Sequence, residues 1–184
     1  WRSEHDSGMP TVIDWKNPDW ILLQQKRQEW MGEFVEGITA HVKKCNADCT
    51  VVYNNAAAMT FWRFGVNDNV NKASEYASGD FYGGLEEQSF ACKLYYMLSL
   101  HQPFEFMTSR CYPNLLEHTT MKSIELLQLG ILMTCAHHGA SMLIDAIDPC
   151  GTLDERVYER IGEVYKSTQG YEKYLEGDLV ADVG

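Results

Sequence analysis

Four short apolar runs, Cys49–Tyr53, Ala73–Phe81, Pro103–Met107 and Ser141–Ile147, are separated by stretches whose apolar residues mostly recur every three or four positions. Short apolar runs bounded by turn formers suit strands buried on both faces, and the longer period suits amphipathic helices. Parallel strands need a crossover, and a helix is the usual one. The order is a helix, then strand and helix three times with one irregular connection. It predicts an α/β fold of about four parallel strands alternating with helices.

The helices announce themselves locally. Asn17-Pro18-Asp19 supplies a capping side chain, a proline at the first helical position and an acid in the first turn. Trp20, Leu23, Arg27, Trp30, Phe34, Ile38 and Val42 then predict a stripe running to roughly Lys44, its tryptophans belonging to core packing. Ala56–Val70 reads as loop with one helical turn. Leu85–Leu98 repeats Phe90, Leu94, Met97 and Leu98 on one face. Thr120 caps a third helix carrying Ile124, Leu127, Ile131 and Cys135 and stopping at Gly139, with His137-His138 favoured by the dipole at its end. Leu153, Val157, Ile161 and Val164 mark a fourth, and Leu179–Val183 reads as the start of something further. Trp1–Thr11 is polar and irregular; the chain opens on tryptophan rather than methionine, and residues are expected ahead of it.

With 184 residues, 45% of them hydrophobic, the chain can bury one core and is expected to form a single domain over 1–184. A formal net charge of −11 without a basic stripe argues against nucleic acid or an anionic membrane as partner. No apolar stretch approaches the roughly 20 residues that span a bilayer. The six cysteines lie mostly in hydrophobic surroundings, which suits reduced, buried thiols in a cytoplasmic protein. Cys45 and Cys49 have no second pair at zinc-ligand spacing, so neither a metal nor another cofactor is expected.

Ionisable groups inside apolar strands are the chemical signal. Glu105 interrupts Pro103–Met107, and Asp145 does the same in Ser141–Ile147; carboxylates in such places are paired, reached by solvent through a cleft, or poised for acid/base work. Arg110 at the end of the Glu105 run offers a permanent cation with a donor fork, and either closes a structural ion pair or holds an oxygen-rich ligand. In parallel β/α folds the functional groups gather at the C-terminal ends of the strands. Here that set is Asn54, Asn55, Asp80, Tyr82, Ser109, Arg110, Asp145 and Asp148, with Tyr112 and His118 in the loop beyond. Carboxylates to flank a bond, amides for hydroxyls and rings to stack on sugar faces are what glycoside hydrolysis needs, although any small polar ligand would use similar groups.

Ser78-Gly-Asp-Phe-Tyr-Gly-Gly84, Pro103-Phe-Glu-Phe-Met-Thr-Ser-Arg-Cys111, Leu143-Ile-Asp-Ala-Ile-Asp-Pro149 with Gly151-Thr-Leu, and Val157-Tyr-Glu-Arg-Ile-Gly162 resemble a bacterial group of glycoside-hydrolase-like proteins. That group is related to the family 29 α-L-fucosidases and often carries a β-galactosidase-type trimerisation domain downstream. The resemblance covers nearly the whole chain. It implies a TIM (β/α)8 barrel of which this chain is the C-terminal half, roughly strands five to eight with the preceding helix. It makes Glu105 the acid/base, since Pro-Phe-Glu-Phe-Met-Thr is similar to a Trp-Glu-x-x-Met-Thr block in those enzymes, with Asp80 second. The fucosidase nucleophile, an aspartate ending the fourth strand, would lie before Trp1. Retaining chemistry needs two carboxyl groups about 5–5.5 Å apart, so this chain alone is not expected to be a competent fucosidase.

Half a barrel exposes two strand edges, so the chain is expected either to be part of a longer one or to complete its sheet as a homo-oligomer. Three functions follow. One is a carbohydrate hydrolase using Glu105 and Asp80, with Asn54, Asn55, Tyr82, Arg110, Tyr112, His118 and Asp145 contacting sugar. The second is a non-catalytic carbohydrate-binding or scaffold barrel. The third, an open α/β enzyme for a phosphorylated substrate, has only Gly83-Gly84 in its favour.

Overall fold

The computed structural model describes residues 1, 5, 8–54, 62–175, 177 and 180. The chain divides into two compact units, Trp1–Glu75 and Tyr76–Gly184.

The first unit is built on one long helix, α1 (Pro18–Cys45), whose start is as the sequence predicts: the Asn17 side chain accepts from the Asp19 amide at 2.9 Å and Pro18 follows. Its buried stripe is not the predicted one. Trp20, Leu23, Gly32 and Val35 are buried, whereas Trp30, Phe34 and Ile38 are exposed. The periodicity was right in period and wrong in phase beyond Leu23: Met31 and Val35, one residue on from Trp30 and Phe34, pack with Val70 and Ala73 of the short helix α2 (Asp68–Lys72) and its end. The Tyr53 hydroxyl donates to the Val35 carbonyl at 2.7 Å and lies 3.0 Å from Thr39 Oγ1. Cys49–Tyr53, expected as a strand, forms none. Its backbone is engaged otherwise, the Val51 carbonyl accepting from the Glu75 amide and the Tyr53 amide donating to Ser74 Oγ.

The second unit alternates strand and helix: β1 (Ser78–Asp80), α3 (Leu85–Leu98), β2 (Glu105–Ser109), α4 (Ile124–Ala136), β3 (Ala140–Ile144) and α5 (Glu155–Thr168). Among the described residues the strands form one three-stranded parallel sheet in the order β1-β2-β3. The mixed α/β construction therefore holds, with three strands where about four were expected. β1 is shorter than the predicted Ala73–Phe81 because Ala73 and Ser74 are spent closing α2.

Register sorts the strands' side chains onto two faces. Phe106, Ser141 and Leu143 share the face the helices cover: Phe106 meets Tyr95 of α3, Tyr165 of α5 donates to the Ser141 carbonyl, and Leu143 packs on Leu127, Ile131 and Val164. α3 approaches through Gln88, Ala91, Cys92 and Tyr95, leaving Phe90 and Met97, expected inside, exposed. Small side chains there let the helix lie close while Tyr95 reaches Phe104 and Phe106. α4 buries Leu127 and Ile131 as predicted, but its cap is Ser123, which accepts from the Leu126 amide, and not Thr120. Thr120 instead bonds Tyr112 and Glu117 in the preceding loop. Cys92 and Cys111 are buried and Cys135 half-buried, but Cys45, Cys49 and Cys150 are exposed, contrary to the expectation of mostly buried thiols.

Candidate functional site

The opposite face of the sheet carries Ser78, Glu105 and Ala140 in one row and Asp80, Met107 and Met142 in the next. Glu105 and Asp80 thus lie diagonally on neighbouring strands. A strand spacing of about 4.8 Å and a two-residue rise of about 6.6 Å put their backbones about 8 Å apart, close enough for both carboxylates to border one small ligand. Both are half-buried. Each is held by a hydroxyl: Ser78 Oγ donates to Glu105 Oε1 at 2.7 Å, and Tyr82 Oη donates to Asp80 Oδ2 at 2.7 Å. Ser78 is fully buried, so its hydroxyl is a fixed donor. Burial, and then the bond to the Asp80 carboxylate and its charge, push the Tyr82 phenol well above its ordinary value, so it remains a donor at neutral pH. The arrangement suits proton transfer at Glu105 with a second negative charge nearby.

Asp145, which looked like Glu105 in sequence, has a different setting. Its Oδ1 accepts from Arg110 Nε at 2.6 Å, with both side chains about 92% buried, and also from the Ala146 amide. Arg110 Nη1 donates to the Thr120 carbonyl at 2.7 Å. The pair therefore joins the ends of β2 and β3 to the neck of the loop between β2 and α4. Asp145 Oδ2 is buried with no hydrogen-bond partner among the described residues.

Tyr112 and His118 are exposed in that loop, Tyr112 at its base. Ser109 is buried and caps the turn by accepting from the Cys111 amide, while Asp148 is exposed in the turn after β3. Asn54 lies, exposed, in the first unit, and Asn55 falls outside the described residues. The second unit therefore brings together Asp80, Tyr82 and Glu105 as one group, and Arg110 with Asp145 as another.

Sequence pattern assigns no role to two further residues: Ser78, whose hydroxyl holds Glu105, and Lys122, a cation immediately before the Ser123 cap and so at the less favourable end of a helix dipole.

Comparison with models of known protein families, with curated proteins and with solved structures finds no match for this chain. Among the described residues no helix is long and apolar enough to cross a membrane, and no three His, Cys, Asp or Glu side chains are placed to hold a metal ion.

Proposed function

We propose that this chain is the C-terminal half of a (β/α)8 barrel of the glycoside-hydrolase-like kind, related to the family 29 α-L-fucosidases and acting in the cytoplasm on an oligosaccharide. Glu105 is the proton donor and acceptor, Asp80 its companion, and Tyr82, Arg110, Asp145, Tyr112 and His118 of the same unit are the sugar contacts. The nucleophile comes from outside the chain, from a longer polypeptide or from another copy. The observation that carries this reading is the placement of Glu105 and Asp80 on one face of adjacent parallel strands, each carboxylate oriented by a hydroxyl. Three parallel strands alternating with helices are consistent with a partial barrel.

The test is turnover of nitrophenyl glycosides, with α-L-fucoside and β-galactoside included, by the longest form of the protein that contains this sequence, beside its Glu105→Gln variant. Turnover that falls about 10²- to 10⁴-fold in the variant places the acid/base at Glu105. Turnover unchanged in the variant defeats the assignment. A second reading, a carbohydrate-binding barrel without chemistry, draws on the fact that both carboxylates already accept from protein hydroxyls; it predicts sugar binding with no turnover in either form.

A further inference from the structure

The ends of β1 and β2 and the starts of α3 and α4 enclose a pocket of about 220 Å³ whose lining includes Tyr82, Gly83, Gly84, Thr108, Lys122 and Gly130. It lies near the C-terminal ends of the strands, between the sheet and the helices that cover it, since Thr108 and Leu143 line it with Gln88 and Leu127. Lys122, the one cationic side chain among its lining residues, is half-buried and donates to Thr108 Oγ1 over a long 3.3 Å. No carboxylate among the described residues pairs with it. A half-buried ammonium with a neutral partner is the group in this pocket that an anion would meet. Burial lowers the Lys122 pKa, so an anion beside it would favour its charged form. At the same mouth, Gly84 leaves open space where a Cβ would stand.

We infer that this pocket binds the oxyanion of a small ligand, a carboxylate or phosphate borne on a unit of monosaccharide size, with Lys122 supplying the charge and Thr108 a neutral contact. The inference goes beyond the hydrolase proposal and does not depend on turnover.

Amide resonances of Gly83, Gly84 and Gly130 in the labelled chain are followed while glucuronate, inorganic phosphate or neutral glucose is added. Saturable shifts with glucuronate alone identify a carboxylate ligand, shifts with phosphate alone a phosphate ester, and shifts with both a general oxyanion site; each supports the inference. Lys122→Met is expected to weaken the effective anion about tenfold or more, and Lys122→Arg to retain most of the affinity. No shift of these amides up to about 10 mM anion, enough to fill even a millimolar site, overturns the inference. So does equal response to glucose, or a folded Lys122→Met variant that binds as before. If Lys122→Met does not fold, the wild-type titration decides alone.

Discussion

The end of β3 and the open face of the sheet treat a carboxylate in opposite ways. Asp145 follows directly on β3, and there its charge is met by Arg110, buried with it and bonded onward to the backbone. Glu105 and Asp80 lie on the open face, half-buried, and accept from the hydroxyls of Ser78 and Tyr82. A buried ion pair is costly to form and costlier to break, whereas a carboxylate bonded to a neutral hydroxyl keeps its charge available to a ligand. The Arg110–Asp145 pair is therefore committed to holding the strand ends together, while Glu105 and Asp80 are oriented by hydroxyls.

Substitutions can break or sharpen this contrast. Arg110→Ala, which strands the Asp145 carboxylate, is expected to cost about 3–5 kcal/mol in urea unfolding; a loss below about 1 kcal/mol would show that the pair does not bind the strand ends together. Ionisation on the helix-covered side comes next. Burial pushes the Cys92 thiol from 9.0 to about 11, so the folded state keeps a proton that the unfolded state gives up first. The stability tied to that thiol is complete below pH 9 and lost as pH rises through about 11, a fall of about 2 kcal/mol. Cys92→Ala should remove that part of the alkaline decline and leave the part due to Tyr82 and Tyr95, both raised by burial; an unchanged pH profile would show that Cys92 is not the group concerned.

A packing change should have a similar or smaller effect. A Cβ at Gly139 would collide with the Phe104 ring and the Thr134 methyl, so Gly139→Ala is expected to cost about 1–3 kcal/mol, read as a lower melting temperature. Least of all, Glu105→Gln should change stability by less than about 1 kcal/mol, since the amide carbonyl still accepts from Ser78. A loss matching that of Arg110→Ala would erase the distinction between the two settings.

The alternation of apolar runs with helical stretches was legible because crossover helices and buried strands leave different periods. The start of α1 was legible from local capping chemistry. Phase was harder. In α1 and α3 the aromatic and methionine positions formed as good a stripe as the true one, yet Trp30, Phe34, Phe90 and Met97 face solvent. The buried faces are marked by Gly32, Ala91 and Cys92, small residues whose value depends on what lies opposite. Glu105 and Asp145 could both be picked as carboxylates inside apolar runs, but their partners decide their roles, and partners follow from the fold. Lys122 was legible in principle, through its unfavourable place before a helix, and Ser78 only through its contact with Glu105.

The loop between β2 and α4 closes at a narrow neck. The Lys122 amide donates to the Arg110 carbonyl at 2.8 Å, Thr120 bonds Tyr112 through both donor and acceptor, and Arg110 reaches the Thr120 carbonyl. Beyond that neck Tyr112, Leu116 and His118 stand exposed. The segment from Pro113 to Thr119 is thus hung on the scaffold like a cassette. Its length and side chains can change between descendants, or be exchanged by an engineer, without disturbing strand pairing. What the rim presents to a visiting molecule can diversify while the sheet beneath it stays as it is.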